Sequence, residues 1–188
     1  MRSIWLLVCA CLLTALPAAA EELTLTLDPE ATKVTFTLGA VMHTVRGSVP
    51  VEKGKIRFDL DSGAASGEIV LSAKQVATGN SSRDKTMHAQ VLESARHPEI
   101  RFKPQRLEGS LKRGGTSDFR LVGEIALHGS TQPLTLAVRS SERDGRVEAT
   151  ATVEIPYVAW GLEDPSTFVL RVAKKLDVKI KAKGRLSD

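Results

Sequence analysis

The chain has 188 residues, enough for one domain with a core of its own. Hydrophobic residues make up 42% and charged residues 26%, the balance of an ordinary globular protein. The net charge of +4 comes without any Lys/Arg block interleaved with aromatics, which argues against nucleic acid as a partner.

The first twenty residues form a unit of their own. Arg2 is followed by an apolar run from Ile4 to Leu16 and then by Ala18-Ala19-Ala20, an A-x-A cleavage site. This is the pattern of a cleaved secretory signal peptide, with Glu21 as the first mature residue. Cys9 and Cys11 both lie in the removed segment, so the mature chain has no disulfide, thiolate metal ligand or thiol nucleophile. Residues 21–188 are left as one domain.

From Glu21 onward the hydrophobic period is two. Leu23, Leu25 and Leu27 alternate with threonines, and Val34, Phe36 and Leu38 with Lys33, Thr35 and Thr37. His43, Val45, Gly47, Val49 and Val51 share one face of a third run. After an expected turn at Lys53-Gly54 come Ile56, Phe58 and Leu60, then Ile69 and Leu71. Each run reads as a strand with one apolar face.

Residues 82–95 change to a helical period. Ser81 and Asp84 have capping-box spacing, Met87, Val91, Leu92 and Ala95 form an apolar stripe, and Pro98 ends the helix. Arg83 continues the stripe, while Asp84 and His88, four apart, are positioned to meet on a neighbouring face. A helix with one apolar face inserted between strands is a cover for a barrel end. Two readings of its polar start remain open. Arg83, with Asp84, His88 and His43, could meet an anionic head group at the barrel mouth, or Arg83 and Asp84 could pin the loop.

The period of two then returns. Ile100 and Phe102 are followed by Phe119, Leu121, Gly123, Ile125 and Leu127, then by Leu134, Leu136 and Val138. An Asp144-Gly145 hairpin leads to Val147, Ala149, Ala151, Val153 and Ile155, and Leu176, Val178, Ile180 and Ala182 complete the set. The pattern predicts an all-β fold: an antiparallel barrel of about eight strands with one short helix over an end. Gly47, Gly123, Ala149, Ala151 and Ala182 on inner faces either leave room for a ligand or permit close packing. Lys175, Lys179, Lys181 and Lys183 share the outer face of the last strand, as a solvated edge or a weak dock for anionic membrane. Tyr157 and Trp160 either flank an opening or anchor an irregular 156–168 segment.

Four stretches carry a family resemblance: KVTFTLGAVMHTVRGSV (33–49), SGEIVLSAKQVATGNSSRDKTMH (66–88), ARHPEIRF (95–102) and GEIALHGSTQPLTLAV (123–138). In that order they resemble the YceI-like family of lipid- or polyisoprenoid-binding proteins. The departures are Ser130, where the family pattern is apolar, and the variant segment AWGLEDPSTFVLRV. The resemblance implies a lipocalin-like extended barrel, a periplasmic location, and an elongated apolar cavity holding an isoprenoid or similar amphiphile.

Catalytic chemistry finds no support. There is no G-x-S-x-G elbow, P-loop, dinucleotide fingerprint or S-x-x-K motif, and the carboxylates are not paired. The histidines, His43, His88, His97 and His128, lack H-x-H or H-E-x-x-H spacing, so no metal site is expected, although folding can gather two of them. No cofactor is expected beyond a bound isoprenoid lipid. The expected cavity lining includes Phe36, Phe58, Phe102, Phe119, Val153 and Phe168, residues equally suited to a packed core. The expected function is an exported, non-enzymatic carrier of an amphiphilic lipid: a polyisoprenoid, isoprenoid quinone or fatty-acid-like molecule. The rival is a stress-related or protein-interaction module whose barrel is filled by its own side chains. A homodimer through an exposed strand or loop is compatible with the sequence but not specified by it.

Overall fold

A computed structural model describes residues 21–41, 43–167 and 171–188; the expected signal peptide and Phe168 lie outside the described residues. The strands are β1 (Glu22–Leu27), β2 (Lys33–Gly39), β3 (Thr44–Val49), β4 (Val51–Asp59) and β5 (Ala65–Ser72), followed by helix α1 (Ser81–Thr86). They continue as β6 (Glu99–Gly109), β7 (Gly115–Leu127), β8 (Ser130–Arg143), β9 (Arg146–Ile155) and β10 (Leu176–Ser187).

Every neighbouring pair is antiparallel, in the order β1-β4-β5-β6-β7-β8-β9-β10, and β10 returns to pair with β1. The ring is therefore closed. It counts eight positions because two of them are broken strands. β1 leads into β2 and β3 into β4, and β10 pairs its Gly184–Ser187 end with β1 and residues 177–181 with β2. The predicted runs of alternation fall in these strands, since a barrel wall with one wet face needs that period. The exceptions are the run from His43 to Val51, which starts before β3 and crosses into β4, and Leu60, which lies just past β4.

The irregularities differ from expectation. Lys53-Gly54 is no turn: both residues lie inside β4, beside a bulge between Val51 and Lys53. Gly54 serves packing instead, because a Cβ there would come within 2.5 Å of Leu27. The chain breaks at Pro50, between β3 and β4, without reversing. β6 runs well past Phe102 and takes Pro104 at a register shift, where a missing ladder donor is tolerated. Asp144-Gly145 is a hairpin turn as expected, with Arg143 opposite Arg146 and positive φ at both turn residues.

The two ends are built differently. At one, Leu23, Phe58, Ala65, Leu107, Val147 and Leu186 belong to a buried apolar cluster. Buried Glu142 ties two hairpins together there, accepting from the backbone N–H of Gly114 and, at 2.6 Å, of Gly145. At the other end lie Ala40, Val41 and His43 between β2 and β3, the β5–β6 insertion bearing α1, the β7–β8 turn and segments 156–167 and 171–175.

The amides of Gly114 and Gly145 hold the Glu142 carboxyl below its ordinary value. A lowered folded value means the stabilisation is present above the unfolded value of about 4.5 and is lost as pH falls through the folded value. Urea midpoints measured from pH 7 to pH 3 should fall at the acid end, and Glu142→Gln should be less stable at pH 7 with a shallower acid decline. Equal slopes in the two proteins would assign the acid sensitivity elsewhere.

Candidate functional site

The barrel interior is not filled. A cavity of about 710 Å³ runs through it with an overwhelmingly aliphatic and aromatic wall. Phe36, Phe58, Phe102, Phe119 and Val153 all line it. The small inner residues divide by type. Ala149, Ala151 and Ala182 face the cavity and leave room. The glycines are spent on contact: a Cβ on Gly47 would sit 2.3 Å from the Phe36 ring, and one on Gly123 would sit 2.3 Å from the Lys103 carbonyl oxygen.

The helical segment covers one end as a strap. α1 continues through a wider π turn, Met87–Val91, so helical structure covers 81–91 rather than 82–95. Met87, Val91 and Leu92 line the cavity, whereas Ala95 is exposed and belongs to no stripe. The cap is Asn80, not Ser81: its side chain accepts from the Arg83 N–H at 3.0 Å. Nor does Pro98 end the helix. Leu92 N–H donates to Met87 O, and Glu93 then turns left-handed at φ 41°.

The polar residues at the helix start separate into two roles. Asp84 accepts from the backbone N–H and, at 2.5 Å, the hydroxyl of Thr78. Arg83 donates from Nε to the Thr78 hydroxyl at 2.7 Å and from Nη2 to the Thr78 carbonyl at 3.0 Å. His88 lies 2.9 Å from both Val76 O and the Ser94 hydroxyl. Asp84 and His88 thus do not pair, and neither lines the cavity; they lash the strap to residues 76–78 and to buried Ser94. Arg83 does both, since it pins the strap and also lines the cavity.

His43 is exposed and precedes β3, yet it too lines the cavity, as do the exposed residues Asn80, Ser82 and Thr86. Exposed residues on the cavity wall mark where the cavity reaches solvent, so the mouth lies beside α1. Tyr157 and Trp160 anchor rather than flank. Tyr157 is buried and donates its hydroxyl to Ala173 O at 2.9 Å, and burial with Asp164 nearby pushes it up to about 12. Trp160 packs on the same cluster, and its carbonyl accepts from Ser130 at 3.3 Å. Lys175, just before β10, and Lys183 on it pair with Glu154 and Glu148 of β9, which makes the lysine face an ion-pair ladder over part of its length. One grouping escaped the sequence patterns: Glu93, His97 and His128 come together at this same end.

The chain belongs to the YceI-like family, whose domain model matches residues 25–184. Its fold is similar to a polyisoprenoid-binding domain from Saccharophagus degradans, at 15% identity and a TM-score of 0.70 over 87% of this chain and 98% of that one. It is also similar to BcnA of Burkholderia cenocepacia, at 12% identity and a TM-score of 0.68 over 86% and 99%. A Campylobacter jejuni YceI protein aligns at 11% identity and a TM-score of 0.57 over 76% and 82%. A comparison with curated protein sequences gave no match.

Thr78 is the post to which both Arg83 and Asp84 are tied, so Thr78→Val should loosen the strap more than the barrel. The expected loss is about 1–3 kcal/mol of stability, since hydrogen bonds to charged groups are removed. Amide exchange should quicken over 81–91 while β7 and β8 stay protected. Unchanged exchange in the strap would show that these bonds do not hold it.

Proposed function

We propose that the protein is an exported, non-enzymatic carrier that encloses the long apolar chain of an amphiphilic lipid and keeps its polar head at the mouth beside α1. The observation that carries this reading is the cavity: about 710 Å³, within the span of roughly 300–1,000 Å³ usual for ligand pockets, and apolar along its depth. The rival expectation of a side-chain-filled barrel is at odds with it. Membership of the YceI-like family and the likeness to a polyisoprenoid-binding domain support the same ligand class.

Energetics favour a long chain over a short one. Burial gains about 0.8 kcal/mol per methylene, so ten methylenes gain roughly 8 kcal/mol. Association itself costs roughly 4–15 kcal/mol, which leaves little for a short acyl chain and a useful surplus for an isoprenoid of several units. Polar contacts are then needed only to orient the head group. Arg83, held by Thr78 at the mouth with the Asn80, Ser82 and Thr86 side chains nearby, is suited to a phosphate or quinone oxygen, and His43 stands on the facing rim. Export rests on the signal-peptide pattern of residues 1–20, and the periplasm is the compartment we assign. Transient docking on anionic lipid would use Lys179 and Lys181, with Val41, 67% exposed, beside the mouth.

Protein isolated from a bacterial periplasm without detergent should begin at Glu21 and release one equivalent of isoprenoid or long-chain lipid on solvent extraction, as read by mass spectrometry. Ala149→Phe, which places a ring in the cavity, should weaken uptake of added lipid by about tenfold or more, with an unchanged circular dichroism spectrum. Arg83→Ala should weaken uptake of an anionic lipid more than that of a neutral one. Absence of any co-purifying lipid, together with no uptake by the delipidated protein, would overturn the carrier reading.

A further inference from the structure

At the mouth end, outside the apolar cavity wall, three side chains converge, two from the turn after the strap and one from the β7–β8 hairpin. Glu93 follows the strap, His97 lies in the turn before β6, and His128 opens the β7–β8 hairpin turn. One ligand-type atom from each, a Glu93 carboxylate oxygen and a ring nitrogen of each histidine, all lie within 4.8 Å of one another. Glu93 Oε2 is 3.3 Å from His128 Nε2 and 3.9 Å from His97 Nε2, and the two imidazole centroids are 4.9 Å apart.

One further observation points to a ligand. His128 Nε2 is buried and has no hydrogen-bond partner among the described residues, its distance to Glu93 notwithstanding. Buried polar atoms are nearly always satisfied, and an orphan nitrogen beside a carboxylate and a second imidazole suits an ion site. The backbones of Glu93 and His128 are accounted for by the fold: Glu93 (φ 41°) turns the chain out of the helical segment, and His128 (φ 51°) makes with Gly129 the same turn that Asp144 makes with Gly145.

We propose that Glu93, His97 and His128 bind a divalent transition-metal cation of the zinc type. Two imidazoles and one carboxylate are its borderline donor set, and three protein ligands leave a fourth position for water. A tetrahedral ion with bonds of about 2.0–2.1 Å needs ligand atoms roughly 3.3–3.5 Å apart, and the Glu93–His128 distance already meets that. A small inward turn of His97 completes the set. Arg96 reaches Glu93 at 3.2 Å from the exposed side and is free to swing into solvent, its side chain being 74% exposed. A bound ion would tie the end of the strap to the β7–β8 hairpin and so fasten the cover of the barrel mouth.

The test is calorimetric titration of the tag-free mature protein, stripped with chelator, using zinc, magnesium and calcium chlorides. One equivalent of zinc should bind at micromolar affinity or tighter, without competition from magnesium or calcium, which prefer all-oxygen sites. His128→Asn keeps a residue suited to the left-handed turn, and it and His97→Gln should each weaken zinc binding at least tenfold while melting normally without metal. With zinc present, amide exchange should slow over residues 87–97 in the parent protein and not in these variants. No zinc binding, or zinc binding that persists in the His97→Gln/His128→Asn double variant, would overturn the proposal, whatever lipid the barrel carries.

Discussion

The cavity exists because the ring closes, and the ring closes along β10. This strand pairs with β9 from Leu176 to Arg185, while its other edge is shared between β1 and β2. The difficulty is the break from Asp28 to Thr32 between those two partners. Lys183 bridges it: its carbonyl accepts from Asp28 N–H at 2.8 Å, and its N–H donates to the hydroxyl of buried Thr32 at 3.2 Å. A wall one sheet thick around an apolar interior has no second layer to hide an unpaired strand edge. The Thr32 side chain stands in for a ladder partner at the point where the ladder lapses.

Closure also explains how an open interior is tolerated. The circumference of a barrel is set by its hydrogen-bonded strands, so the wall cannot simply collapse when side chains fail to fill the lumen. Packing contacts are instead concentrated where they serve as plugs. Leu23, Ile56 and Phe58, all nearly inaccessible, belong to the cluster toward the end away from α1, and Leu127, Ile155, Tyr157 and Leu162 gather under the strap. Between them the wall carries Ala149, Ala151 and Ala182 on neighbouring strands, with Ala182 directly opposite Ala149. Larger residues there would have packed the lumen at no cost to the sheet. Their absence matters to function, whereas the glycines at 47 and 123 matter to contact with Phe36 and with the β6 backbone.

Much of this was legible as alternation, because a barrel wall with one wet face imposes a period of two and any inner residue shows it. Five of the six aromatic and aliphatic residues picked as lining do face the cavity, and the sixth, Phe168, lies outside the described residues. The misreadings share a cause: local chemistry was given local meaning. Lys53-Gly54 has the composition of a turn, but Gly54 is there for Leu27, twenty-seven positions earlier in the chain. Ser81 and Asp84 have capping-box spacing, but Asp84 turns back to Thr78 and Asn80 takes the cap. Glu93, His97 and His128 were invisible for the opposite reason. Glu93 and His97 stand four apart, a spacing that carries little by itself, and only the meeting of their turn with the β7–β8 turn brings His128 to them.

The two ends of the barrel divide the work accordingly. At the end away from α1, one buried carboxylate with two backbone amides locks two hairpins together beside a buried apolar cluster. At the mouth end, hydrogen bonds supplement the packing of Val91 and Leu92 on the cluster beneath: Thr78 grips Arg83 and Asp84, and Val76 and Ser94 grip His88. Bonds of that kind, half-buried and few in number, open at lower free energy than a packed core does. On the carrier reading proposed above, a chain-shaped ligand would pass through that end, and a cover fastened in part by polar bonds would admit it without unfolding the wall. Of the three non-glycine residues with left-handed backbones among the described residues, two sit at this same end, where the cover meets the barrel. Strain at the cover and ease at the wall are what a barrel needs if it is to stay closed as a ring while opening as a vessel.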